Sequence, residues 1–208
     1  MPTPEPKTVS TAIVILAAGQ ARRMGGSAHK LLALFDGVPL IRRVVAISLA
    51  SRAASVTVVT GHRREEVEAC LLDLPAAMSF NAGFAEGMAS SLIAGLNSPD
   101  VADKDGVMVV LGDMPGLTAL HLDALILAFE SADGRAIIRA ASGDVPGNPV
   151  ILPVALRPAL LTLTGDKGAK AIIAASTLPV IDVDIGPAAL VDVDTPDAIM
   201  AAGGVLNG

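Results

Sequence analysis

Residues 13–30 read IVILAAGQARRMGGSAHK. An apolar run stops at a small-residue turn, Ala17-Ala18-Gly19, and is followed by Arg22, Arg23, a Gly-Gly pair and Lys30. A short continuous apolar stretch such as Ala12 to Ala17, closed by glycine, is the pattern of a strand buried on both faces of a parallel sheet. Cations just past the carboxyl end of such a strand stand where open α/β sheets bind ligands.

The pattern repeats outward from this strand. Ser55 to Thr60 (SVTVVT) and Gly106 to Leu111 (GVMVVL) predict further buried strands, and Ala77 to Phe80 a brief one. Arg135 to Ala140, Pro149 to Leu152, Val180 to Asp184 and Leu190 to Val193 read as shorter strands. Between them, helical spacing predicts helices from Pro39, over Arg64 to Leu74, Met88 to Leu96, Val154 to Leu161 and Lys167 to Ala175. Thr118 caps a helix reaching Phe129, and Thr195-Pro196-Asp197 opens a last one. Ser142 to Pro149 reads as a loop, Asp166 as a helix N-cap, and Cys70 as a core residue within a helix. Strands alternating with helices predict one α/β domain with a mostly parallel sheet, over residues 12–208 behind a flexible tail at 1–11.

Composition narrows the function. Of 208 residues, 52% are hydrophobic and 17% charged, which supplies a large core and excludes global disorder. Four Phe and no Trp or Tyr leave no platform for stacking single-stranded nucleic acid. A net charge of −6 removes the broad basic footprint of a duplex binder. A lone cysteine forms no intrachain disulfide, no signal peptide is evident, and no apolar run reaches membrane-spanning length; a cytoplasmic protein is expected.

Three phosphate loops begin like the first one. Lys30 lies between His29 and Leu31, so the G-x-x-x-x-G-K-[ST] pattern is absent. Gly19 has no glycine partner two residues on, and the second strand ends Thr60-Gly61-His62 without a ribose-binding acid, which disfavours a dinucleotide site. The third is a nucleoside triphosphate wrap, in which Ala17, Ala18 and Gly19 admit the base or ribose while Arg23 and Lys30, with Arg22 nearby, neutralise phosphates.

LAAGQARRMGG…K, from Leu16 to Lys30, resembles the opening signature of nucleotidyltransferases with a Rossmann-like sheet. These include the molybdenum-cofactor guanylyl- and cytidylyltransferases and, more distantly, the isoprenoid-pathway cytidylyltransferase. GVPLI (37–41), VVTGH (58–62), NAGFAEGMASSL (81–92), LGDMP (111–115), GNPVIL (147–152), TGDKGAK (164–170) and DVDTPD (192–197) follow in the family's order. EGMASSL with GDMP, and Ala18 in LAAG, look most like the molybdopterin cytidylyltransferase branch. The resemblance implies a single-domain Rossmann-like three-layer sandwich of the nucleotide-diphospho-sugar transferase type. It implies transfer of CMP from CTP to the phosphate of molybdopterin, with release of pyrophosphate and with magnesium as cofactor. A molybdoenzyme or its chaperone would be a partner. Guanylyl transfer, isoprenoid cytidylyl transfer and nonenzymatic carriage of the cofactor stay open as rival readings.

Asp113 follows a buried strand, where it is read as a turn cap before Pro115 or as a magnesium ligand facing the triphosphate. The second ligand is Asp194 or Asp192, of which the resemblance favours Asp194; strand alternation would place both on one face. Arg23 and Lys30 would offset phosphate charge. By motif position Leu16, Ala17, Ala18, Gly19, Arg22, Gly61 and Ser91 would meet the nucleotide, while Asn81, Glu86 and Asn148 would shape the acceptor side. Asn148 stands where relatives usually carry histidine, so it can hydrogen-bond but not carry a proton charge. His62 and His121 read as surface or capping residues.

Overall fold

The computed structural model describes residues 9–24, 29–166 and 168–206. Its strands are β1 (Thr11–Ala17), β2 (Leu34–Phe35), β3 (Val38–Pro39), β4 (Ser55–Thr60), β5 (Ala77–Phe80), β6 (Gly106–Leu111), β7 (Ile137–Ser142), β8 (Val145–Pro153), β9 (Val180–Asp184) and β10 (Gly204–Val205). The helices are α1 (Leu40–Leu49), α2 (Arg64–Ala69), α3 (Met88–Leu96), α4 (Pro99–Ala102), α5 (Ala119–Ser131), α6 (Arg157–Leu160), α7 (Lys170–Ala175) and α8 (Pro196–Ala201).

Among the described residues one sheet has the order β5-β4-β1-β6-β8-β7-β9, and β8 alone runs against its neighbours. A small antiparallel sheet, β10-β2-β3, sits apart from it. The mostly parallel α/β sheet is as the apolar runs predict.

Alternation along β1 shows why the sheet is covered twice. Ile13, Ile15 and Ala17 join one apolar cluster with Leu40, Val44 and Leu125, so α1 and α5 lie on that face. Ala12, Val14 and Ala18 join a second cluster with Leu92, Leu96 and Leu160, so α3 and α6 lie on the other. Period-2 burial on both faces therefore produces helix, sheet and helix layers. At Gly95 a Cβ would sit 2.3 Å from the Val14 side chain, so the missing side chain sets how closely α3 approaches β1.

Several expectations are corrected. Helix α2 stops at Ala69, short of Leu74: the apolar side continues through buried Leu71 and half-buried Leu74, but the backbone carries it in tighter turns, with Leu71 N–H donating to the Glu68 carbonyl and Leu74 N–H to the Leu71 carbonyl, both at 2.9 Å. Cys70 is therefore the half-buried C-cap of α2, its thiol pushed up first by burial. The loop expected at Ser142–Pro149 is the turn and first half of a β7–β8 hairpin. The prolines at 146 and 149 are tolerated because β6 pairs with β8 only from Val150 onward, leaving the proline-bearing part bordered on one side. Residues 190–193 form no strand; they follow a short 3-10 turn at Gly186–Ala189. Lys167, and the N-terminal segment through residue 8, lie outside the described residues.

Candidate active site

Strands β4 and β5 follow β1 to one side of the sheet, while β6 returns to its other side. The chain thus reverses direction between β1 and β6, and the crevice at such a reversal is where α/β sheets take ligands. Here the crevice is a cavity of about 440 Å³, lined by Leu16, Ala17, Ala18 and Gly19, by the cations Arg23 and Lys30, and by Ser91. Ala21 adopts a positive φ of 49°, and Met24 N–H closes the turn on the Ala21 carbonyl at 2.9 Å. Met24 is buried and anchors the returning chain. The backbone of Arg22 lies in the same turn; its side chain and residues 25–28, which include the gap before Lys30, lie outside what is described.

The far wall begins where β6 ends. Gly112 N–H donates to the Leu16 carbonyl at 3.1 Å, which carries the β1–β6 pairing one step further and turns Asp113 into the cavity. Val193 N–H donates to the Asp113 carbonyl at 3.0 Å, tying the loop before α8 to this wall. Asp113, Asp192 and Asp194 come together, each offering an oxygen within 4.8 Å of the others. Asp192 and Asp194 both lie beside Asp113. They do so from a loop rather than from one face of a strand.

Lys30 stands among these carboxylates, donating to Asp113 Oδ2 and, at 2.5 Å, to Asp194 Oδ1. Arg23 reaches Asp194 Oδ2 at 2.6 Å from a side chain that is 71% exposed. Burial pulls the Lys30 ammonium down, but Asp113 and then Asp194 outweigh it and raise its pKa. Burial also opposes charge on Asp194, and the Lys30 hydrogen bond reverses this, so its pKa is lowered. Asp192 goes the other way: partial burial, its approach to the Asp194 carboxylate and the charge of Asp113 raise it. Asp113 Oδ1 is buried without a hydrogen-bond partner. Three carboxylates around an unpartnered buried oxygen fit a hard divalent cation, which prefers oxygen donors and keeps part of its water.

Behind the α3 wall, Asn81 organises the turn before the helix. Its Nδ2 donates to Ser90 Oγ at 2.8 Å and Ser91 Oγ at 3.0 Å, and its Oδ1 accepts from Gly83 N–H at 2.9 Å. Asn81 therefore sets Ser91 against the first cavity without lining it. Ser90 Oγ turns back to the carbonyls of Gly83 and Gly87. Glu86 lines the first cavity, whereas Asn148 lines an adjoining cavity of about 660 Å³ that shares Leu16, Met88 and Leu111 with it. Asp166 is not the N-cap of α7, a place taken by Ala169; it faces the first cavity beside Gly87. Gly61 does not line that cavity, and a Cβ there would lie 2.7 Å from the Cβ atoms of both Ala18 and Phe84. Its bareness lets the loop after β4 close on the loop after β1, where His62 N–H donates to the Ala18 carbonyl at 3.2 Å.

His29 escapes a reading by motif. Its ring is only 4% exposed and stacks on His62 with centroids 5.7 Å apart, and His62 packs in turn on Phe84. Neither ring nitrogen of His29 finds a hydrogen-bond partner of sound geometry, although the Gly19 backbone lies close enough to oppose its shift. Burial first, then the charge of Arg63, lowers its pKa to about 4. His62, expected at the surface, is half-buried, with Nδ1 buried and unpartnered. The one signal in the sequence is a histidine separated only by Lys30 from the apolar Leu31-Leu32 pair.

Comparison with known proteins bears on this crevice. The MobA-like NTP transferase domain matches residues 13–180. A curated relative, the bifunctional protein GlmU of Streptomyces griseus, is 36% identical over 141 residues, which is 67% of this chain and 29% of that protein. The chain thus spans less than a third of the length of such relatives. Among solved structures, a Mycobacterium tuberculosis rv0371c homolog from Mycobacterium sp. strain JC1 superposes with a TM-score of 0.77 at 26% identity, covering 92% of this chain and 94% of that one. The Rv0371c complex with manganese from Mycobacterium tuberculosis H37Rv shares the fold with a TM-score of 0.75 at 19% identity, covering 94% and 98%. The carboxyl-end crevice between β1 and β6 is accordingly that of a nucleotidyltransferase fold, and the chain belongs to the MobA-like NTP transferase domain family.

Proposed function

We propose that the protein transfers CMP from CTP to the terminal phosphate of molybdopterin and releases pyrophosphate. One observation carries the transfer chemistry: an unpartnered buried oxygen of Asp113, in a carboxylate trio bridged by Lys30, opposite the small-residue loop that admits a nucleotide. The choice of cytidine is supported by the resemblance at Ala18, and that of the pterin phosphate by EGMASSL and LGDMP. A nonenzymatic carrier would have no use for three converging carboxylates.

In this reading an acceptor phosphate oxygen forms a bond to the α-phosphorus of CTP, and the bond from that phosphorus to the β-bridging oxygen breaks. The electron pair leaves on pyrophosphate. Phosphoryl-type transfers of this sort need positioning and charge neutralisation more than covalent help. Magnesium held by Asp113, Asp192 and Asp194 supplies electrostatic stabilisation of the phosphates when bound. The Ala17-Ala18-Gly19 backbone seats the base and ribose, and Ser91, fixed by Asn81, borders them. Lys30 neutralises the carboxylates before substrate enters and then offers its ammonium to the leaving pyrophosphate; Arg23 adds a second cation at the open rim.

The test is pyrophosphate release from each NTP with molybdopterin and magnesium. Turnover with CTP is expected. Turnover with GTP and not CTP would overturn the base assignment, and turnover with methylerythritol phosphate and not molybdopterin would overturn the acceptor.

A further inference from the structure

Three loops meet beside the first cavity, and one side chain from each joins a continuous stack. His29, from the chain returning after β1, lies on His62, from the loop after β4, with centroids 5.7 Å apart and planes at 19°. His62 lies in turn on Phe84, from the turn after β5, at 6.1 Å. The two outer loops also line the cavity, with Ala18, Gly19 and Lys30 on one side and Phe84, Ala85 and Glu86 on the other. The middle loop is tied to the first by the His62 N–H bond to the Ala18 carbonyl, and bare Gly61 lets Ala18 and Phe84 come close.

His29 also sets the direction of Lys30. Its backbone is extended, with φ −128° and ψ 120°, and its carbonyl accepts from Leu32 N–H at 2.9 Å to open the 3-10 turn Lys30–Leu32. The neighbours of Lys30 on both sides, His29 and Leu31, are buried at 4% and 3% exposure, so they anchor the backbone while Lys30 reaches Asp113 and Asp194. A histidine is a costly anchor here. Both its ring nitrogens are buried without a partner, where a phenyl ring would forfeit no hydrogen bond. The charged and titratable groups facing the ring are Arg63, His62 and Lys30, and the nearby carboxylate, Glu66, is committed to Arg63 Nε at 2.5 Å. A proton added to His29 therefore meets burial first and then the charge of Arg63. A ring that fits its place only when neutral is a point at which a proton decides conformation.

We propose that the His29–His62–Phe84 stack positions the transfer machinery: it holds the three loops together, aims Lys30 at the carboxylates, and lets go when His29 takes up a proton. This rests on the nucleotide occupying the first cavity, as proposed above. His29 touches no reacting atom in this reading; it is a positioning residue that acts through Lys30 and the Ala18-Gly19 backbone. The size of the effect follows from linkage. A released histidine titrates near 6.5 and the buried one at about 4, so acidification to about pH 5 favours the released loop about thirtyfold over its high-pH value. Nucleotide affinity then falls in proportion to the fraction of molecules whose loop is still held.

The experiment has two arms. In the first, CTP affinity is measured by calorimetry with magnesium in the wild type, His29→Ala, His29→Phe, His62→Ala and the double alanine variant. It is measured at about pH 7.5 and at the lowest pH, down to about 5, at which thermal unfolding shows each protein folded. At the higher pH His29→Ala is expected to weaken CTP about tenfold or more, and His29→Phe, which keeps a ring, to restore it to within about threefold. The double variant is expected to lose at least about threefold less than the product of the single losses, because both break one stack. On acidification the wild type is expected to lose at least about fivefold more affinity than His29→Phe; titration of the triphosphate and the carboxylates is common to both and cancels. If His29→Ala does not fold, the wild type against His29→Phe decides alone. In the second arm, without nucleotide, amide hydrogen exchange of residues 18–24 and 29–33, corrected for the intrinsic rate, is expected to rise at least about fivefold more on acidification in the wild type than in His29→Phe. Unchanged CTP affinity in a folded His29→Ala, or equal acid responses of the wild type and His29→Phe in both arms, overturns the inference. If GTP binds in place of CTP with the same dependence on His29, the functional proposal falls and the positioning role stands.

Discussion

The two cavities share a wall of Leu16, Met88 and Leu111, yet they are built on opposite principles. The first is held by charge: Lys30 and Arg23 are paired with carboxylates drawn from loops 83 and 164 residues away from Lys30. The second is walled mainly by apolar side chains, with α7 resting its half-buried Ile172 and Ile173 on the core cluster and leaving about 660 Å³ beside them. In the first, Lys30 and Arg23 tie Asp113 and Asp194 together, so one substitution disturbs several charges at once. In the second, interchangeable apolar walls decide only what fits.

The largest effect that would break this contrast is at the first cavity. Asp113→Ala is expected to lower turnover by at least about 10³-fold with the melting temperature nearly unchanged, measured by pyrophosphate release and thermal unfolding. Full activity in that variant would remove the carboxylate trio from the chemistry.

Next comes the stack beneath the loop. The buried His29 has its pKa lowered to about 4 against 6.5 for the free side chain, so the unfolded chain binds a proton that the folded one refuses. Stability from neutral His29 is complete above about pH 6.5 and is lost as pH falls towards about 4, by up to about 3 kcal/mol. His29→Phe, which keeps a stacking ring without a titrating nitrogen, is expected to flatten the acid limb of the stability curve in urea titrations across that window.

Smaller still is Gly61→Ala. With 2.7 Å approaches to Ala18 and Phe84, the added methyl is expected to cost about 1–3 kcal/mol and to raise the KM for the nucleotide by shifting the loop. The smallest is Arg23→Ala, whose exposed pair with Asp194 is expected to contribute under about 1 kcal/mol to stability, a difference that vanishes at high salt.

What the sequence discloses follows the same division. β4, β5 and β6 are legible to the residue because short apolar runs bounded by turn residues have one reading. The charged cavity is legible too, since acids and cations just past buried strands have little structural reason to be there. The β7–β8 hairpin is hidden because Pro146, Gly147 and Pro149 each read as loop, and only the restricted pairing of β8 with β6 makes room for them. The second cavity is hidden for a deeper reason. Ile172 and Ile173 carry the spacing of a helix that packs and do pack, half-buried, against the second core cluster, so the space left beside them is a property of the tertiary arrangement alone.

The hydrogen bond from Val193 N–H to the Asp113 carbonyl has a consequence in time as well as in space. The sheet core around β1, β4 and β6 consists of segments made before residue 112, but the carboxylate trio is complete only when residues 192–194 return to it. Contacts of such sequence separation are costly to close and form late. On the ribosome, then, a nascent chain of this protein carries the strands around its first cavity well before it can assemble the carboxylate trio.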